Sequence, residues 1–109
     1  MVDAPTRKWT KSEERVIIER DLRQEKERLE VLYSAIAILE EAIRLKKPVD
    51  REQIRQMLKG KVINRERAFE SALASGQSRD LFDVITEEAT YALRSIEALE
   101  HRQAALKAA

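Results

Sequence analysis

The sequence predicts an all-α fold: an up-down-up three-helix bundle with a long, coiled-coil-like first helix. Three observations carry that expectation. Gly and Pro number only two each in 109 residues, while Ala, Leu, Glu, Arg and Lys dominate, a composition that favours helix. Apolar side chains recur at steps of three and four rather than alternately, which is the helical period. The clearest interruptions fall at Pro48 and at Ser75-Gly76-Gln77-Ser78, leaving three long segments. A chain of this length makes one domain with a modest core, expected over residues 10–109 behind a loose arm at 1–9.

The first helix is expected over residues 11–46. Thr10 reads as its N-cap, with Glu13 three residues on to complete a capping box. Leu22, Leu29, Ile36 and Ile43 repeat every seven residues, and Ile18, Leu32 and Leu39 fill the complementary row, which Glu25 breaks. That is a coiled-coil-like seam. Around residues 31–39 the added Val31, Tyr33, Ala35, Ala37 and Ile38 surround the axis with apolar groups, so this section needs neighbours on more than one side.

Pro48 ends this helix, because proline disfavours helical geometry in the residue before it. Asp50 then caps a second helix, expected over 51–74, with Gln53 closing the box and Val49 stapling onto Ile54. Its apolar face is Ile54, Leu58, Val62, Phe69 and Leu73, with Met57, Ile63 and Ala72 alongside. Gly60 either breaks this helix or weakens it by about 1 kcal/mol. The third helix, expected over 79–106 and capped by Ser78 or Asp80, presents Phe82, Ile85, Ala89, Ala92, Ile96, Leu99 and Leu106. Short turns favour antiparallel neighbours.

Helix length then suggests self-association. A second helix of about 25 residues, folding back from residue 47, reaches only the level of residue 22 at 1.5 Å per residue. Ile17, Ile18 and Leu22 are left on an overhang. Either the third helix is displaced to cover them or a partner does. An uncovered apolar strip lowers solubility, so a homodimer is expected, with Ile18 and Leu22 at its interface.

Charge supplies the second candidate surface. Residues 44–67 carry nine basic and three acidic side chains, a net +6, whereas residues 11–41 and 68–109 each sum to −3. Arg51, Arg55 and Lys59 recur every four residues on one side of a helix, a spacing at which like charges repel. Arg44 and Lys47 enter near the same end, and Lys61, Arg65 and Arg67 extend the field. An acidic protein surface would relieve it, including another subunit's Glu13, Glu14, Glu19 or Asp21. A nucleic-acid backbone would do so too, with steep salt dependence. No Gly-rich phosphate loop, zinc-finger spacing or RNA-stacking aromatic motif accompanies it.

Trp9, just before the Thr10 cap, either clamps the arm onto the bundle or inserts into a partner. Tyr33, Phe69, Phe82 and Tyr91 sit at packing positions. His101, with Glu97 four residues earlier, falls short of a metal site. Glu40-Glu41 and Glu87-Glu88 lack the Glu-x-x-His elements of di-iron bundles. Ser34 and Ser71 have no nearby base. Cysteine is absent, which removes disulfides and thiolate chemistry and suits a reducing cytosol. The most apolar run, Val31 to Leu39, is nine residues against the roughly 20 of a membrane span.

Asn64-Arg65-Glu66-Arg67 faintly resembles the second-helix Arg-Glu pair of the small helical chorismate mutases, which share this size and helix order. The resemblance implies an electrostatically held dicarboxylate, with Arg28, Lys46 and Gln103 in the remaining roles. It covers little beyond residues 64–73, and the capped segment Asp50 to Lys59 departs from the family's pattern.

The sequence therefore leads to a non-enzymatic protein-binding module: an adaptor, chaperone-like partner or small regulatory subunit, self-associating through its first helix. No cofactor or metal is expected, and the setting is cytoplasmic. The alternative is a nucleic-acid-binding protein using residues 44–67.

Overall fold

The computed structural model describes residues 10–108, and every regular element among them is α-helical. Four helices follow in order: α1 (Lys11–Leu45), α2 (Arg51–Leu58), α3 (Glu66–Ser75) and α4 (Ser78–Ala108). The expected three helices become four because the second one breaks. After Leu58 the chain turns through Gly60, whose φ of 80° lies in the left-handed region that glycine enters without a Cβ clash. Helix resumes only at Glu66. Trp9 and the arm lie outside the described residues.

The start of α1 follows its sequence signals. Thr10 Oγ1 accepts from the Glu13 amide at 3.1 Å, and the Glu13 carboxylate accepts from the Thr10 amide at 3.4 Å. At the other end Lys46 adopts a left-handed conformation, φ 54°, and the Lys47 amide reaches back to the Ala42 carbonyl at 2.9 Å. The chain then leaves the helix before Pro48. Asp50 caps α2 through a 3.1 Å bond from the Gln53 amide. α4 begins at Ser78 itself, one residue earlier than expected, with the Gln77 carbonyl accepting the Leu81 amide.

α1 and α4 pack along their lengths and run antiparallel, since Glu14 meets Arg102 while Arg28 meets Glu88. α2 packs on α1, and α3 on α4. α2 and α3 are themselves an antiparallel hairpin. Arg51 donates to the Leu73 carbonyl at 3.0 Å, and Arg55 pairs with Glu70 at 3.3 Å.

The larger core cluster joins all four helices. Leu32, Ala35 and Leu39 of α1 meet Ile54 and Leu58 of α2, Phe69 and Leu73 of α3, and Leu81 and Ile85 of α4. α1 thus has neighbours on two sides through residues 32–39, as its apolar circumference requires. Tyr33 nevertheless stays half exposed. Val62, placed by its period on the apolar face of the second helix, is 65% exposed, because the turn takes it out of helical register.

The second cluster corrects the overhang. Ile18 and Leu22 are buried against Ile96, with Leu29, Leu99 and Leu106 at the margin. α4 is 31 residues long against 35 for α1, so it runs the length of the first helix and closes the seam within one chain. The strip that was to hold a second copy is already covered. This end of the molecule is two helices thick, whereas the other end is four.

Candidate functional site: a charged junction at the tip of the α2–α3 hairpin

Among the described residues, two charged side chains lie inside the protein. Arg28 of α1 and Glu88 of α4 are 5% and 0% exposed. Arg28 is in seven-residue register with Ala35 and Ala42, and Glu88 with Leu81, all of them buried. The register that buries those apolar residues therefore turns Arg28 and Glu88 toward the same layer. They meet the tip of the α2–α3 hairpin there.

Glu88 grips the tip by its backbone. Its Oε1 accepts from the Asn64 amide at 2.8 Å and its Oε2 from the Arg65 amide at 3.0 Å. Arg65 is the N-cap of α3 and offers no side-chain cap of its own. Glu88 serves in its place, with its charge against the positive end of the helix dipole. Arg28 completes the clasp. Its Nη1 donates to the Val62 carbonyl at 3.1 Å and lies 3.5 Å from Glu88 Oε1, and its Nη2 donates to Glu25 at 3.1 Å. Only the Arg28 Nε, among buried side-chain polar atoms of the described residues, lacks a partner.

A second, exposed layer surrounds this pair. Arg65 Nη1 contacts Glu87 at 2.6 Å, and the Tyr91 hydroxyl donates to the other Glu87 oxygen at 2.9 Å. The Tyr91 bond, seconded by Arg65, holds the Glu87 carboxyl below its ordinary range. The same bond, with desolvation, pushes the Tyr91 phenol upward. Glu25, Arg28, Val62, Asn64, Arg65, Tyr91 and Ser95 line an open concavity of about 590 Å³. The junction's carboxylates, Glu25, Glu87 and Glu88, all accept from an arginine, a backbone amide or a phenol, so none is held free to act as a general base. The arrangement is suited to fastening the hairpin.

The structure divides the basic segment into two groups. Arg51, Arg55 and Arg65 are spent inside the molecule, on the Leu73 carbonyl, Glu70 and Glu87. The expected row of Arg51, Arg55 and Lys59 is therefore not a uniform free array. Two of its members clasp α2 to α3. The side chains of Arg44, Lys46, Lys47, Lys59, Lys61 and Arg67 make no hydrogen bond or ion pair among the described residues, and all but the half-buried Lys61 are exposed. Lys46 and Lys47 precede α2, and Lys59 and Lys61 follow it.

The other sequence candidates are dispersed. Arg28, Lys46 and Gln103, grouped by the chorismate mutase resemblance, are not brought together in this chain. Lys46 follows the four-helix end of α1, roughly 27 Å along the axis from Arg28 at 1.5 Å per residue, and Gln103 belongs to the two-helix end. His101 and Glu97 are exposed. No group of three or more metal-ligating side chains occurs among the described residues, and none of their helices is long and apolar enough to cross a membrane. No family model matches this chain, nor does any curated protein or solved structure.

Proposed function

We propose that this chain is a non-enzymatic helical protein-binding module, an adaptor, chaperone-like partner or small regulatory subunit. It docks the basic surface flanking α2 onto an acidic protein surface in the cytoplasm. One observation carries the reading: between residues 44 and 67, six cationic side chains have no partner among the described residues, while three arginines of the same segment are internally committed. Helix stability does not require the unpaired six. A carboxylate-rich surface would relieve their mutual repulsion.

The test is fluorescence anisotropy with a labelled poly-glutamate peptide, beside duplex DNA of equal charge, at rising salt. Lys47→Glu with Lys59→Glu reverses two exposed, unpaired cations and leaves the internal clasps intact. The proposal expects peptide binding by the native chain and at least a tenfold loss in the double variant. A marked preference for DNA with a steep salt slope would transfer the surface to the nucleic-acid reading. Absence of binding to either probe at low salt would end the proposal.

A further inference from the structure

The turn between α2 and α3 is weakly specified by its own residues. Lys59 to Arg65 contains one glycine and no proline, and the segment on either side keeps a helical apolar period. Neither adjoining cap is strong. Lys59 closes α2 at φ −59° and ψ 129°, outside the left-handed conformation, and Arg65 opens α3 without a side-chain cap. The turn is fastened instead by residues of other helices: Glu88 on the Asn64 and Arg65 amides, and Arg28 on the Val62 carbonyl. Gly60, at φ 80°, is its one local concession.

We infer that this turn is a hinge through which two copies exchange their α3–α4 halves, forming a domain-swapped dimer. When residues 51–75 straighten into one helix, about 37 Å long at 1.5 Å per residue, α3 and α4 swing away from α1 and α2 of the same chain. The α1–α2 unit of each copy then receives the α3–α4 unit of the other. The Ile18–Leu22–Ile96 cluster and the four-helix core re-form between chains with the same residues. The contacts of the turn are lost, and with them the two amides held by Glu88 and the carbonyl held by Arg28. Those two side chains keep each other as partners, and Arg28 keeps Glu25. Val62, 65% exposed in the hairpin, joins the stripe of Ile54, Leu58, Phe69 and Leu73 once the helix is continuous. Exchange through a hinge loop is a low-cost route to dimers of this kind. The inference is independent of the acidic-partner reading.

Gly60→Ala tests the hinge. An added Cβ meets no atom within 4 Å, but φ 80° disfavours any L side chain, and alanine favours continuous helix. Counting helix propensity alone at two hinges per dimer, the dimerisation constant should rise by about 30-fold, read by light scattering as a doubling of the 12.6 kDa chain mass. Val62→Pro in the same background blocks continuous helix and should restore the monomer.

Exchange is distinguished from ordinary association by Glu14→Cys with Arg102→Cys, an exposed pair in a chain without native cysteine. A flexible bis-maleimide would join two chains covalently in the swapped dimer, and one chain to itself in any other state. If Gly60→Ala does not fold, the same cysteine pair in the otherwise native chain, unfolded and refolded at high concentration, gives the readout. Covalent dimer on a denaturing gel supports the hinge. A Gly60→Ala chain that stays monomeric, or a product that runs as single chains, overturns it.

Discussion

Glu88 shows how one carboxylate can be tolerated without solvent. Burying a charge is expensive unless it is paired and hydrogen-bonded, and this one has two backbone amides and a guanidinium. The exposed neighbour Glu87 works differently. Its carboxyl sits below the ordinary 4.5 chiefly through the Tyr91 hydroxyl, and the Tyr91 phenol sits above the ordinary 10.0 through the same bond. A lowered carboxyl contributes stability in full above its unfolded value, and that contribution fades as pH falls through the folded value. A raised phenol contributes below its unfolded value and loses it as pH rises. Chemical denaturation of the native chain and of Glu87→Gln should therefore differ most between pH 4.5 and 10.0. The two curves should converge as pH falls, while at high pH only the Tyr91 share fades and the Arg65 pair persists. A difference that persists at low pH would show that Glu87 acts by packing rather than by charge.

Among the elements, α2 is the most dependent on its ends. Eight residues are too few to hold a helix by propensity, so its cap, its two buried anchors Ile54 and Leu58 and the arginine clasps must act together. Asp50→Ala removes the bond to the Gln53 amide and should lower stability by about 1 kcal/mol in urea denaturation. A change within 0.2 kcal/mol, on the order of measurement error, would mean that tertiary packing alone holds α2. The Thr10 and Asp50 caps and the breaks at Pro48 and Gly76 were legible in the sequence because each is a local signal. The turn at 59–65 was legible only as a doubt about Gly60, since Glu88 and Arg28, which fasten it, lie 23 or more residues away along the chain. The site was hidden for the same reason. In the sequence Arg28 stood out only in the chorismate mutase resemblance and Glu88 only in an acidic pair, whereas the register of Arg28 with Ala35 and Ala42 is the signal that it points inward. Arg51 and Arg55 were read as a free row because their partners on α3 become neighbours only once the hairpin forms.

The whole molecule has two unequal ends, and its stability should be distributed accordingly. Where all four helices meet, twelve buried residues form one cluster, while the far end rests on Ile18, Leu22 and Ile96. Two exposed ion pairs, Glu14 with Arg102 and Lys26 with Glu100, add little there because surface pairs contribute at most about 1 kcal/mol each. Local opening follows local burial, so the two-helix end should open without the rest. In native-state hydrogen exchange, amides around residues 16–24 and 96–104 should exchange at lower opening free energy than those around 32–42 and 81–92. Ile18→Ala sharpens the comparison. Truncating a fully buried isoleucine lowers stability by about 2–5 kcal/mol, and most of that loss should appear in the first pair of segments. The α1–α4 hairpin would then be a separable extension of a four-helix core. An equal loss at both ends would instead make α1 and α4 a single cooperative unit, carrying a change at Ile18 through to Leu39 and Leu81.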